Sequence, residues 1–425
     1  MQEKVRTTRA HKPAVGFTPG ERAQVFALIE RIVRECPHRR PTSDDERRAQ
    51  EIVREVFDGL GARTELHHFE FNDSLYANLA LHFGLGTLGT AVSGLLPLAG
   101  LALHLAAGTS YFLDSTRRAY LLRRLLKFRP SQNLLATLPA EGEPALRVVI
   151  AAHADAAFTG LMFDPRAVRA IAGTRLPGPL ERSLAFATYA NFALAGIDLA
   201  RLFLGPLTLP LRPLEAALTA PSAVIAALGL EVVVRNQLVP GANDDLSGVA
   251  ALPLLAARLG QRKRKDVELV FATTGCEEAS MGGADALARD KEGVWDKRRT
   301  VFLALDGLTN GELCYLATEG EVRDLPVPPW LVRTFARVAA SEPRFAKVKP
   351  HRVPVGGTDA SAFLARGWDA GSLVCIDPTL GAPRHYHTLT DTPENLELEP
   401  LFEAIEFVEQ LVEGIVEERL GEARS

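Results

Sequence analysis

The chain reads as an α/β protein, a central sheet of buried strands with helices around it. Three observations carry this reading. Val148–Ala152, Val267–Ala272 and Val301–Leu305 are short apolar runs bounded by polar turns, the pattern of strands enclosed by the core. Helical patterns such as Val249–Leu259 alternate with them. Each run is followed closely by His, Asp or Glu, and the C-terminal ends of strands are where open α/β sheets bind ligands.

The elements follow in order. Pro19–Cys36 reads as a helix. Ser43 is placed to cap a second helix running to about Leu60, with Glu46 three residues on completing a capping box. Gly59 and Gly61 suit its end. Arg63–Phe71 and Gln132–Leu138 read as strands. Val148–Ala152 leads into His153-Ala154-Asp155. Gly241–Gly248 is a turn, with Asn243-Asp244-Asp245 inside it, opening into Val249–Leu259. Val267–Ala272 leads through a polar turn to the adjacent carboxylates Glu277-Glu278. Val301–Leu305 ends at Asp306-Gly307, and near the C-terminus stands His385-Tyr386-His387-Thr388-Leu389-Thr390-Asp391-Thr392. Five strand ends or turns thus deliver His, Asp or Glu to what is expected to be one rim. Adjacent carboxylates on an irregular segment can divide the work, one holding a metal and the other moving a proton.

Taken together and in order (HxD, GAxDDxSG, EE, LDG, HTxxDT), these motifs resemble the co-catalytic di-zinc aminopeptidase family, which includes glutaminyl cyclases and glutamate carboxypeptidases. The resemblance covers roughly residues 20–425 apart from two insertions. It implies a mixed, mostly parallel central sheet flanked by helices, and two Zn2+ ions. Carried over by position, His153 resembles a ligand of one zinc, with Asp306 completing it. Asp244 looks like the carboxylate bridging both, and Glu278 and His387 resemble the ligands of the second. Glu277 looks like the general base, which must stay free of the metal and within reach of water. Asp155 and Asp391 are expected to orient His153 and His387 from behind. His385 and Asp245 are rivals to His387 and Asp244; the family pattern favours the latter two. The stretch Gly357–Phe363 lacks a histidine that many family members carry there, which leaves the substrate class open.

Composition sets bounds. With 425 residues and the motifs spread from His153 to Asp391, one catalytic domain spanning residues 1–425 is expected, carrying insertions at about 74–130 and 158–240. A net charge of −4 gives no case for nucleic acid. Cys36, Cys276, Cys314 and Cys375 show neither zinc spacing nor a disulfide framework, which suits a reducing compartment. The first thirty residues lack the apolar core of a signal peptide.

The insertions are the unusual part. Between Asp73 and Asp114 there is no Asp, Glu, Lys or Arg. Leu79–Leu113 is Leu/Ala/Gly-rich and broken near Gly94 and Pro97, the composition of a hairpin in contact with lipid. The basic stretch Arg117–Arg129 follows, as at an anionic membrane surface. By the positive-inside rule it places the catalytic domain in the cytoplasm. The second insertion carries Leu184–Ile197, Leu202–Leu211 and Ala216–Leu230, interrupted by charges and prolines. It reads as interfacial helices or a lid more than as clean spans. A cap or homo-oligomer interface is the soluble counterpart of these readings. The expected activity is that of a metallo-aminopeptidase acting on peptides. The alternatives are a glutaminyl cyclase-type acyltransferase and a non-catalytic scaffold.

Overall fold

The computed structural model describes residues 16–164, 166, 182–262, 265–353 and 356–421. Residues 165 and 167–181 of the second insertion, and residues 1–15, which belong to the stretch read for a signal peptide, lie outside the described residues.

Helix α1 (Pro19–Glu35) starts with proline and a full capping box between Thr18 and Glu21, and buries Val25, Ile29 and Ile32 along one face. Helix α2 (Asp44–Gly59) is capped by Ser43, whose hydroxyl accepts from the Glu46 amide. The expected capping box is only half made. The Glu46 carboxylate turns inward instead, accepting from the Thr42 amide, the Ser131 hydroxyl and the Cys276 amide. Gly61 follows at φ 74°, a backbone that favours glycine.

The strands are β1 (Arg63–Phe71), β2 (Arg129–Leu138), β3 (Leu146–His153), β4 (Val267–Thr274), β5 (Thr300–Asp306), β6 (Glu312–Leu316), the short pair β7 (Thr318–Glu319) and β8 (Leu325–Pro326), β9 (Lys349–His351) and β10 (Asp369–Ile376). Eight of them form one sheet in the order β1-β2-β4-β3-β5-β10-β6-β9. The centre, β4-β3-β5-β10, is parallel; β1, β2 and β6 pair antiparallel. The sheet is therefore mixed, with a parallel core.

Alternation along β3 divides the interior. Val148, Ile150 and Ala152 face the larger core, with α1, α2, α7 (Leu246–Gly260), α9 (Pro329–Ser341) and α11 (Leu398–Gly421). Val149 and Ala151 face the smaller one, with α8 (Gly282–Asp290) and α10 (Asp359–Ala365). With helices covering both faces, every central strand must be apolar on both sides, which is why the runs read as unbroken.

The insertions build a separate layer. Leu79–Leu113 falls on α3 (Leu75–Ser93) and α4 (Pro97–Ser115), which turn at Gly94–Leu96. The second insertion supplies α5 (Ser183–Leu204) and α6 (Arg212–Arg235), joined by a 3-10 stretch at Gly205–Leu211. The four pack as a ring, α3 against α4, α4 against α5, α5 against α6 and α6 against α3. Helices α3 and α5 run outward and α4 and α6 return. The two far turns meet, a Cβ on Gly94 falling 2.4 Å from the Arg212 guanidinium. Among the described residues, Ser183–Arg235 is the segment long and apolar enough, by length and composition, to cross a membrane. The segment lies in the second insertion, where interfacial helices or a lid are expected, and not in 79–113. Asn78, His82 and His104 dilute the apolar character of α3 and α4. In the basic stretch, Arg117 and Arg123 are buried and turned into the protein, while Arg118, Arg124, Lys127 and Arg129 stay exposed.

Candidate metal centre

The parallel strands β3, β4 and β5 end on one edge of the sheet. His153 closes β3 in register with Thr274, the last residue of β4. Asp306 closes β5. Asp244 stands in the turn before α7, and His387 comes from the loop after β10. The structure gathers these side chains into two trios, His153–Asp244–Asp306 and Asp244–Glu278–His387, whose ligand atoms lie within 4.8 Å of one another in each. A third trio, His153–Glu277–Glu278, overlaps them.

Asp244 is shared by the first two trios, and its two oxygens face different partners. Oδ1 is 3.1 Å from His153 Nε2, and Oδ2 is 3.4 Å from His387 Nε2. His387 Nε2 is also 3.3 Å from Glu278 Oε1, an oxygen that is buried without a hydrogen-bond partner. Asp245, the rival of Asp244, points elsewhere. It caps α7 through the Gly248 amide and accepts from the amides of His153 and Gly307, pinning three chain segments. His385, the rival of His387, is held by Thr390 at 2.7 Å and joins none of the trios.

The turn carrying Glu277 and Glu278 is held amide by amide. Gly275 donates to Asn133, Cys276 to Glu46, Glu277 and Glu278 to the two oxygens of Asp155. Cys276, Ser280 and Met281 all have positive φ, so the turn is tight and depends on this scaffold. At its far end a Cβ on Gly283 would fall 2.3 Å from the Gly275 carbonyl oxygen, so only glycine fits. Asp155, read from sequence as an orienting partner of His153, lies 3.5 Å from Nδ1 through its carboxylate and 3.2 Å through its backbone oxygen. It acts as a positioning residue for the Glu pair as well. Asp391 differs from expectation. Its carboxylate accepts from the amides of Asn243 and Asp244, so it fixes the Asp244 turn, and His387 Nδ1 pairs instead with the Tyr76 hydroxyl at 3.2 Å.

Sequence reasoning missed Glu46 and Tyr76 as site residues. Glu46 was absorbed into a helix cap, and Tyr76 lies at the root of α3, more than three hundred positions from His387. It also missed an aromatic wall. Tyr386 stacks on His387 at 3.9 Å between ring centroids, and Phe163 lies at 4.5 Å. No spacing in the sequence signals these contacts. In the Gly357–Phe363 stretch, Thr358 caps α10 and the buried Asp359 accepts from the Thr274 hydroxyl beneath the Glu pair.

The electrostatics call for a cation. Burial pushes the Asp306 carboxyl up to about 8, with Asp244 adding to it. Burial likewise raises Glu277 well above its ordinary value. For His387 burial acts downward, but Glu278 and Asp244 outweigh it and lift the imidazole to about 10. Burial also works to raise Asp244, yet the hydrogen bonds from His153 and His387 bring it below the usual carboxylate range. Buried carboxylates and imidazoles crowded in this way satisfy one another with a bound metal, and N and O donors suit zinc.

Residues 229–412 match the model of peptidase family M28. The matched region is somewhat less than half of the chain. It contains Asp244, Glu277, Glu278, Asp306 and His387, while His153 precedes it. The family is one of peptidases, so the coarse assignment is to hydrolases. No curated protein is significantly similar in sequence. Solved structures resemble this chain in fold. An aminopeptidase from Aneurinibacillus sp. strain AM-1 is 16% identical, with 92% of each chain covered and a TM-score of 0.52. A Fimbriiglobus ruber glutaminyl cyclase is 13% identical, covering 96% of this chain and 99% of its own, with a TM-score of 0.54. A Zn-dependent exopeptidase from Parabacteroides distasonis is 13% identical, covering 92% and 96%, with a TM-score of 0.53. At these identities the likeness is one of fold.

Proposed function

We propose that the protein is a zinc-dependent exopeptidase, and within that class an aminopeptidase. The observation that carries this reading is the pair of trios sharing Asp244, a donor set for two ions joined by one carboxylate. His153 and Asp306 would hold one zinc, Glu278 and His387 the other. The chemistry zinc supplies when bound is Lewis-acid polarisation of a carbonyl. The chain's own residues do the rest. Glu277 keeps some solvent access and stands next to the ligand Glu278, within reach of a water held at the trios, as a general base must. Its carboxylate takes a proton from water as the water oxygen bonds to the scissile carbonyl carbon. The same proton then passes to the amine nitrogen as the C–N bond breaks. Asp155, by gripping the amides of Glu277 and Glu278, keeps the base fixed relative to the ligands. Tyr76, Phe163 and Tyr386 line the His387 side with rings, which suits an apolar terminal side chain.

The runner-up is a glutaminyl cyclase, the activity named for several fold relatives; a donor set for two ions favours the peptidase. The test is zinc analysis of the purified protein together with digestion of a peptide library in free and N-blocked forms. About two zinc per chain and stepwise loss of residues from free N-termini only is the expected result. Ring closure of N-terminal glutamine without cleavage would assign the cyclase. Zinc-loaded protein that leaves every peptide intact would sink the enzyme reading.

A further inference from the structure

Beyond its apolar root, where Leu79, Phe83, Tyr111, Leu184 and Val232 are buried together, the four-helix bundle has its polarity reversed. Its interior holds small and polar residues: Gly86, Gly89 and Ser93 on α3, Gly100 and His104 on α4, Asn191, Asp198 and Arg201 on α5, Glu215, Thr219 and Ser222 on α6. Thr90, Ser93, His104, Asp198, Arg201, Glu215 and Thr219 form one chain of contacts through all four helices. Thr219 pairs with Thr90 at 2.7 Å, Thr90 with His104 at 3.0 Å, His104 with Asp198 at 2.7 Å, and Asp198 with Arg201 at 3.1 Å. Arg201 goes on to Ser93 at 2.6 Å and to Glu215. Large apolar side chains also point outward on every helix: Leu88 on α3, Leu105 on α4, Leu199 on α5 and Val224 on α6. At the far turns Leu95 is 90% exposed and Leu207 78%.

We propose that this bundle is embedded in a lipid bilayer, with acyl chains covering its outer face. Water is the wrong solvent for such a surface, since soluble bundles put leucine inside and charge outside. In lipid the logic inverts. Helices approach through small residues, and ionisable groups turn inward and pair with one another. The lengths agree. Helices of 19, 19, 22 and 24 residues are about 28–36 Å long, against a hydrocarbon core of about 30 Å. A second copy of the chain would cover one side of the ring, but the exposed apolar residues surround it, and hydrocarbon covers all sides at once. At the root, the exposed Arg118, Arg124, Lys127 and Arg129 alternate with Leu121 and Leu125, 50% and 73% exposed, as an anionic headgroup layer requires. The metal centre sits at that same root, because Tyr76 of α3 touches His387. The proposal places it at the membrane surface, and does not depend on what the centre catalyses.

The test uses the full-length chain. It is expected to stay in the membrane pellet through alkaline carbonate and to leave only with detergent. The double substitution Leu105→Lys, Leu199→Lys is expected to move most of the protein out of the membrane pellet, although each replaces an exposed side chain. In case that variant misfolds, a Leu199→Cys variant carrying a bimane label is reconstituted into phosphatidylcholine–phosphatidylglycerol vesicles, with unsubstituted protein as background. Quenching of that label by nitroxide on the acyl chains, with little quenching by aqueous iodide, is expected. Unsubstituted protein that is monodisperse in buffer without detergent, as monomer or dimer, overturns the proposal. So does a label at position 199 quenched by iodide and not by the lipid nitroxide.

Discussion

In the α/β domain Ile150, Phe271 and Leu303 are enclosed, and charge enters mainly at the rim where the strands end. In the four-helix bundle Leu88, Leu105 and Leu199 face outward while Asp198, Arg201 and Glu215 face inward. One chain follows two opposite burial rules. The difference teaches that a buried charge has no single meaning. At the rim the carboxylates of Asp244, Glu277, Glu278 and Asp306 outnumber the imidazoles of His153 and His387. In the bundle acid and base are matched within the protein, and they join helices.

Breaking that contrast at the rim should have the largest effect. Glu277→Gln removes a proton acceptor and leaves the ligands in place. Turnover is expected to fall by about 10²–10⁴-fold with zinc content unchanged, whereas Glu278→Gln should lose zinc. Steady-state kinetics with metal analysis checks both. Near-normal turnover in the zinc-loaded Glu277 variant would remove it from the base role.

The seam between the two regions comes next. Arg123 is fully buried and donates to both oxygens of Asp114, to Asn72 and to the Ala279 carbonyl in the turn after Glu278. Arg117 reaches Ser280 from the same side. Arg123→Ala leaves Asp114 buried and unpaired, which costs about 3–5 kcal/mol. The expected result is a large drop in melting temperature, with Arg123→Lys recovering part of it. A variant as stable as the parent would mean that the seam carries little.

A matched carboxylate outside the metal centre sharpens the comparison through pH. Glu319 accepts from the Thr358 amide and from the hydroxyls of Thr358 and Ser372, yet burial outweighs these bonds and pushes its carboxyl up to about 7 from 4.5. The folded state therefore holds this proton longer than the unfolded chain. The stability it contributes is present in full below pH 4.5 and is lost as pH rises through 7. The loss is on the order of 3 kcal/mol. Glu319→Gln should gain stability relative to the parent between pH 5 and pH 8. Parallel pH curves for the two proteins would show that the group does not titrate this way.

Much of the centre was legible because the chemistry sits at strand ends, and apolar runs mark strand ends in sequence. His153, Glu278 and Asp306 each follow such a run within a few residues. Asp244 and His387 needed the order of motifs as well, since Asp245 and His385 stand next to them with the same chemistry. What separates each pair is direction, set by contacts from distant segments, and no local pattern records direction. Glu46 shows the same limit, because its spacing from Ser43 fits a cap while its carboxylate serves the core. The bundle was half legible. Absence of charge marked α3 and α4, but the charges on α5 and α6 read as interruptions, since sequence does not show that Asp198, Arg201 and Glu215 meet one another.

The smallest effect separates the inside of the bundle from its outside on one helix. Gly89 and Leu88 are neighbours on α3, one buried and the other 49% exposed. A Cβ on Gly89 would fall 2.9 Å from the His104 ring, which is itself tied to Asp198 and Thr90. The ring cannot yield without loosening those bonds, so Gly89→Ala is expected to cost about 1–3 kcal/mol, as overpacking does. Leu88→Ala removes a larger group from the outer face, where nothing in the protein closes over it. Its cost should stay within about 0.5 kcal/mol. In a bundle with a leucine core the order would be reversed, with the leucine costly and the glycine nearly neutral. Melting curves of the two variants under one set of conditions decide the order, and a Leu88→Ala change costlier than Gly89→Ala would mean that the outer face is packed against protein after all.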